Sequence, residues 1–381
     1  MEGEVTDASP VTATINGGPL PLDGAGRFAV DLPLPSSDGV FDIVVDASDR
    51  AGNKPLQPKQ VAIRIDRTSP LIFIDGPQND DILGSLPVVV TGRVDDDSPV
   101  TVTVNGRPAT ITGQAWQAGL DGLTEGRQTL TAIAVDVVGN PPSTASVDVT
   151  LDLSAPTVAI SSPQSGHVTK DEAIGVQGTV HDGTLVGVTV NDVPATIAAT
   201  PILDARGRAI YSCAAGCAMS ATVPLAPGDN ALKAKAVDAV GRENTSDPVY
   251  VTRDNTPPVL VRFTTPPQIL RGQTAQAEAE VSDNVGVATV VIRVDGVDKA
   301  TCTTSTCVAT LEVPEGAAVG SSLTVLVEAW DTAGNSIESD PPRAVKIGAS
   351  GALTGQVLDD ATGWPLAGAS VRLLDGAQPE V

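Results

Sequence analysis

A seven-residue pattern, Ala-x-Asp-x-x-Gly-Asn, occurs at 47–53, 134–140 and 329–335, and a fourth copy at 236–242 ends in Arg242 instead of asparagine. Its aspartates, Asp49, Asp136, Asp238 and Asp331, recur at intervals of roughly 85–105 residues, far longer than a solenoid repeat and close to one small β-sandwich domain. Other markers keep phase with it. Short strands run into acidic turns at Gly3–Asp7, Gly92–Asp96, Gly178–Asp182 and Ala279–Asp283. Hairpin signals follow at Asn16-Gly17, Asn105-Gly106, Asn191-Asp192 and Asp295-Gly296. Linkers bearing Asp and Pro separate the copies at Asp66–Pro70, Asp152–Pro156 and Asp254–Pro258. Markers repeated in one fixed order define a tandem array, and its function is expected to belong to the array rather than to one active site.

Within the second repeat the pattern is that of strands. Leu71–Ile74 is a short apolar run, and Val88, Val90 and Val94 fall on one face at period two. Val100–Val104 alternates valine with threonine, as a half-buried strand does. Further strands are expected around Trp116, over Thr129–Val135 and over Ala145–Leu151. Seven antiparallel strands at 8–12-residue spacing, with no helical period, predict an all-β chain of tandem Greek-key immunoglobulin-like β-sandwiches. The expected boundaries are 1–67, 68–153, 154–254, 255–348 and a different, partial β-module over 351–381. The first repeat lacks the strand that should precede Gly3, so the chain reads as a piece of a longer protein, with about twenty residues of that repeat missing by comparison with 68–91.

Composition narrows the function. Aromatic residues are only 2% of the chain, so the cores must be built from Val, Ile, Leu and Ala. The formal net charge is −23, which repels nucleic acid and anionic lipid at long range and makes neither an expected partner. No apolar run approaches the ~18–20 residues of a membrane span. Two histidines, no Gly-x-Ser-x-Gly elbow and no phosphate loop before a helix leave catalysis without support.

Cys213–Cys217 and Cys302–Cys307 are two tight local pairs. A disulfide across a hairpin at each turn is sterically open, free thiols are the plain alternative, and zinc is disfavoured because His167 and His181 form no cluster with them. Disulfides would place the chain in an oxidising compartment, secreted or on a cell surface. An insertion at about 198–212 lengthens the hairpin before Cys213; it is either a specialised contact surface or a tolerated surface insertion. Trp116, Trp330 and Trp364 occupy non-equivalent positions, which favours core or junction packing over a sugar-stacking platform, with Trp330 expected outward or at a junction.

Several of these segments carry a family resemblance. The repeats resemble bacterial immunoglobulin-like domains of secreted and surface proteins. The second and third are similar to the B domain of glucodextranase, through Pro156–Pro163, Val188–Asn191 and Ala236–Asp238. The fourth, with Asp254–Val259 and Ser282–Val287, is similar to a commoner variant. Residues Gly355–Val357 and Thr362–Val371 resemble a carboxypeptidase regulatory-like, transthyretin-like module. Such modules imply spacers, stalks and accessory domains, with neighbouring domains of a larger parent chain as partners, and supply no catalytic residue. The expected role is a non-catalytic extracellular spacer. The alternative is an adhesin or carbohydrate-binding array that meets a cell-surface polymer or protein ligand. Four beads of such strands would span on the order of 100–150 Å.

One constellation remains. In a sandwich of this topology the incoming linker and two of the turns share one end, which gathers Asp66, Asp96 and Asp136 in the second repeat, Asp152, Asp182 and Asp238 in the third, and Asp254, Asp283 and Asp331 in the fourth. Three carboxylates with turn carbonyls suit the six to eight oxygens that Ca²⁺ takes. Asp-x-x-Gly-Asn is also an ordinary turn, in which Asp accepts backbone N–H bonds and Gly takes positive φ. Sequence leaves both readings open.

Overall fold

The computed structural model describes residues 1–349 and 357–364, all in strands, turns and extended segments without a helix. The chain is a tandem array of immunoglobulin-like β-sandwiches. Most of the segment resembling a regulatory-like module, and with it that resemblance, lies outside the described residues. By contact density the chain divides into two units, 1–162 with 175–222 and 233–247, and 163–174 with 223–232 and 248–381.

In the first unit, the second repeat shows the architecture most completely. Leu71–Gly76, Val88–Asp95, Ala115–Leu120 and Thr110–Thr112 make one sheet. Arg107–Pro108, Val100–Val104, Gly126–Asp136, Ser143–Leu151 and Ile82–Leu83 make the other, in that order. Valine at alternate positions turns Val88, Val90 and Val94 inward, and these meet Val102, Val104, Leu130, Ala132 and Leu151 from the facing sheet. Trp116 closes this core at 2% exposure. Gly92 makes room for it: a Cβ there would lie 2.0 Å from the Phe73 carbonyl oxygen and 2.3 Å from Trp116 Cζ2. One expectation needs correction. Ile82–Leu83 pairs parallel to Ser143–Leu151, so the ladders are not all antiparallel. The chain leaves the first sheet after Gly76 and joins the edge of the other in its own direction, which no local alternation signals.

The first repeat keeps the four-stranded sheet Gly18–Leu20, Val11–Ile15, Gly39–Asp49 and Lys59–Ile65. Its second sheet is only the pair Glu2–Glu4 and Arg27–Ala29. Phe28 fills the gap between sheets with Ala13, Ile15, Ile43 and Val45. The third repeat contributes to this unit the sheet holding Leu185–Val190, Ala234–Asp238 and Glu243–Thr245, and most of the sheet holding Thr157–Ser162, Ala173–His181 and Cys217–Pro224. The hairpins bend where the sequence placed them. Asn105 and Gly106 take φ of 45° and 80°, and in the third repeat Asn191 and Asp192 take 46° and 66°, a region that Asn and Asp tolerate better than other non-glycine residues.

The second unit holds the remaining strands of the third repeat and all of the fourth. Val259–Thr264, Thr274–Ser282 and Thr306–Glu312 face a larger sheet built on Arg343–Gly348, Ser322–Asp331, Val287–Val294 and Val297–Cys302. Its core is mostly aliphatic, from Ala277, Val281, Ile292, Leu311, Val325 and Ala329, with Phe263 and Cys307 among them.

Both cysteine pairs are disulfides. The second does not staple a single ladder as a hairpin reading suggested. Cys302 ends a strand of one sheet and Cys307 lies in a strand of the other, so the bond ties the two layers together. Trp330 is half-buried and Trp364 is exposed.

Candidate metal centre

Each repeat that has an incoming linker aspartate brings it against two turn aspartates. Asp66, Asp96 and Asp136 meet in one group, Asp152, Asp182 and Asp238 in a second, and Asp254, Asp283 and Asp331 in a third. Within each group one carboxylate oxygen per residue lies within 4.8 Å of the others. All nine aspartates named from the sequence are accounted for. The first repeat has only Asp7 and Asp49, and each is satisfied within its own turn, by Ser9 and by Asn53.

In every one of these aspartates except Asp152, one carboxylate oxygen performs ordinary turn chemistry. Asp136 Oδ1 accepts the Val138, Gly139 and Asn140 amides at 3.1, 2.7 and 3.1 Å. Asp283 Oδ1 accepts Val285 and Gly286 at 2.9 and 2.8 Å, and Asp331 Oδ1 accepts Asn335 at 2.8 Å. The hydroxyls two residues after the second aspartate reach back to the linker: Ser98 donates to Asp66 Oδ2 and Thr184 to Asp152 Oδ2. In the fourth repeat Asn284 Nδ2 reaches Asp254 Oδ1 at 3.2 Å instead.

Five of the other oxygens are different. Asp96 Oδ2, Asp152 Oδ1, Asp238 Oδ2, Asp254 Oδ2 and Asp283 Oδ2 are buried with no hydrogen-bond donor. Asp152, Asp238 and Asp254 are 3%, 1% and 2% exposed. A buried carboxylate oxygen without a partner is costly, and three carboxylates at one point raise the cost through mutual repulsion. The acidities register this. Burial, then the nearby Asp66 and Asp136 charges, push the Asp96 carboxyl up. Burial pushes up Asp152, with Asp238 adding to it and Thr184 opposing. Asp182 is pushed up to about 6, first by burial and then by Asp152 and Asp238. Bare carboxylate oxygens gathered in this way fit a hard divalent cation such as Ca²⁺, which takes oxygen ligands in flexible number.

The asparagine that ends the repeat motif completes the arrangement. Asn140 Nδ2 donates to the Asp66 carbonyl at 3.3 Å, the Thr68 carbonyl at 2.9 Å and Asp136 Oδ2 at 2.8 Å. Asn335 Nδ2 donates to the Asp254 carbonyl and to Asp331 Oδ2, each at 2.8 Å.

A cleft of about 630 Å³ opens beside the middle group, lined by Glu125, Arg127, Asp152, His181, Asp182 and Ile210 among others. Sequence reasoning did not anticipate a cleft bearing a carboxyl with raised pKa. It also missed the support for Asp182. Cys213 exchanges both backbone hydrogen bonds with it, at 2.7 and 3.1 Å, and the Cys213–Cys217 bond closes the turn that carries them. The insertion folds as a small hairpin, Ile202–Leu203 with Ala209–Ile210, and Arg208 ties it to the Ala239 carbonyl at 2.8 Å.

Parts of the chain resemble known proteins. Residues 156–253 match a family model described as glucodextranase, domain B. Bacillopeptidase F of Bacillus subtilis (strain 168) is 28% identical over 137 residues, 36% of this chain and 8% of that relative. A solved tetra-tandem repeat from the extending region of a large adhesion protein is 20% identical, covering 91% of this chain and 94% of that chain, with a TM-score of 0.36. Fibronectin(III)-like modules of Clostridium thermocellum CbhA are 20% identical, covering 51% and 94%, with a TM-score of 0.30.

Proposed function

We propose that the chain is a non-catalytic, extracellular spacer whose linker ends are stiffened by divalent cations, with Ca²⁺ the best fit to the donor set. The observation that carries this reading is the recurrence of one construction, a linker aspartate held against two turn aspartates, in three successive repeats. A catalytic site has no reason to be built three times with the same residues. A joint between beads has. The linker carboxylate belongs to the approach to a repeat and the other two belong to its body, so an ion bound by all three fixes the one against the other. The repeat boundaries we assign are those of the sequence reading, 67/68, 153/154 and 254/255. The two disulfides support an oxidising location, secreted or on a surface, with neighbouring domains of a larger parent chain as partners.

A second reading has one observation in its favour. The cleft beside Asp182 is partly walled by the insertion, through Ile202 and Ile210, which suits a ligand-binding repeat of an adhesin or carbohydrate-binding array. Small-angle X-ray scattering of the full chain, first in Ca²⁺ and then in EDTA, separates the two. A long, stiff profile that becomes flexible or compact on chelation supports the cation-stiffened spacer. An extended profile indifferent to EDTA removes the cation from it. A compact profile in both conditions overturns the spacer.

A further inference from the structure

The three acidic groups are not equivalent, and one residue makes the difference. At the first and third groups the motif ends in asparagine, whose neutral amide donates to the linker aspartate's carbonyl and to the motif aspartate's Oδ2. At the middle group Arg242 takes that place. Its Nη1 donates to the Asp152 carbonyl at 2.9 Å, the counterpart of the Asp66 and Asp254 carbonyls. The same nitrogen lies 3.7 Å from Asp152 Oδ1 and 3.9 Å from Asp238 Oδ2. Those are the two oxygens of this group that are buried without a hydrogen-bond donor. Among the described residues no Lys, Arg or His lies within ion-pairing distance of the six carboxylates of the other two groups.

We infer that Arg242 is the specificity-determining residue of the array: its guanidinium stands in for the divalent cation at the middle group, so that the chain holds two tight cation sites instead of three. This inference rests on the cation reading of the acidic groups. The guanidinium partly neutralises two of the three carboxylates and repels any ion placed among them. A positive charge held about 4–6 Å from a bound divalent ion weakens that ion by on the order of a hundredfold or more at the effective dielectric of a protein surface. Arg242 does not reach Asp182, so the middle group keeps a negative remainder and weak affinity.

The arginine also does what an ion does at a joint. Its Nη2 donates to the Gly84 carbonyl in the preceding repeat. Val240 packs on Gly84 so closely that a Cβ there would stand 3.1 Å from Val240 Cβ and Cγ1. The middle joint is therefore latched by side chains of the protein and holds without metal.

The test is a Ca²⁺ titration of the full chain by isothermal calorimetry, with Tb³⁺ luminescence as a second probe. The wild type is expected to bind two ions tightly and a third at least a hundredfold more weakly. Arg242→Asn is expected to raise the tight count to three. Arg242→Lys, which keeps the charge, is expected to leave it at two, and supplies the comparison should the asparagine variant fold poorly. Three equivalent sites in the wild type would overturn the role of Arg242 while leaving the cation reading intact, as would a third site that stays weak in a folded Arg242→Asn. Binding of no ion at all would overturn the cation reading, and this inference with it.

Discussion

Replacing Asp96 by asparagine separates the two chemistries its carboxylate can perform. Oδ1 accepts the Ser98 amide at 2.6 Å, and asparagine keeps an oxygen there. Oδ2 is buried and without a donor, and the carboxyl has an oxygen within 4.8 Å of one on Asp66 and one on Asp136. At that distance and an effective dielectric near 20, each like-charge pair costs about 3.5 kcal/mol before screening. Asp96 is only half-buried, and salt and relaxation reduce the sum, so about 1–2 kcal/mol is the expected gain from neutralising it without metal. With Ca²⁺ the sign reverses. The variant forfeits a charged ligand, and a site filled at a hundred times its dissociation constant stabilises by about 2.7 kcal/mol. Calorimetric melting in EDTA and in excess Ca²⁺ reads both numbers, since 1 kcal/mol moves the Tm of a domain this size by about 4–8 °C. Asp96→Asn should melt above wild type in EDTA and below it in Ca²⁺. A variant that melts lower by the same amount in both solutions would refute the reasoning, because the carboxylate would then be serving its turn alone.

Two further outcomes follow from the same structure. In EDTA, stability should rise as pH falls from 7 towards 4. Asp182 in the folded chain is pushed up to about 6 from an ordinary value of 3.8, so in that window the folded state binds more protons than the unfolded state and acidification favours it. Below that window the trend should reverse, as Asp49, Asp66 and Asp148, held low by hydrogen bonds, become protonated; a Tm that falls monotonically from pH 7 in EDTA would contradict this. Changing Cys302 and Cys307 together to alanine should cost the fourth repeat about 2 kcal/mol through lost chain restriction, read as a lower melting transition for that repeat alone.

Much of the fold was legible because the β-sandwich writes its core at period two. Val88, Val90 and Val94, or Val100, Val102 and Val104, announce face and direction together. The grouping of the nine aspartates was also legible, because the linker and two turns must share one end of such a sandwich. What stayed hidden depends on pairings between distant segments. The parallel strand Ile82–Leu83 is two residues long and has no pattern of its own. The disulfide Cys302–Cys307 reads as a hairpin staple until the two strands are seen in different sheets. Ser98 and Thr184 carried a usable signal, a hydroxyl two residues after the turn aspartate in both repeats, which marks a donor for the linker carboxylate. Arg242 was visible as a departure from the motif, but its meaning needed the position of its guanidinium.

The two readings of Asp-x-x-Gly-Asn concern different oxygens of the same carboxylates. A turn needs an acceptor for two or three backbone amides, and one carboxylate oxygen supplies it. Asparagine or serine would supply it equally well, and would carry no charge into a crowded, buried place. Asp254 and Asp283 nonetheless leave their second oxygens buried and bare. Turn geometry accounts for the first oxygen of each residue and is silent on the second. Repulsion among three buried carboxylates is relieved by a nearby positive charge or by a bound proton, and the middle group shows the first directly, in the Arg242 guanidinium near Asp152 Oδ1 and Asp238 Oδ2. The other two groups also carry bare oxygens, on Asp96 and on Asp254 and Asp283, and among the described residues have no such side chain. On the cation reading proposed above, an ion from solution supplies that charge, and the stiffness of those two joints then follows the ion concentration around the chain.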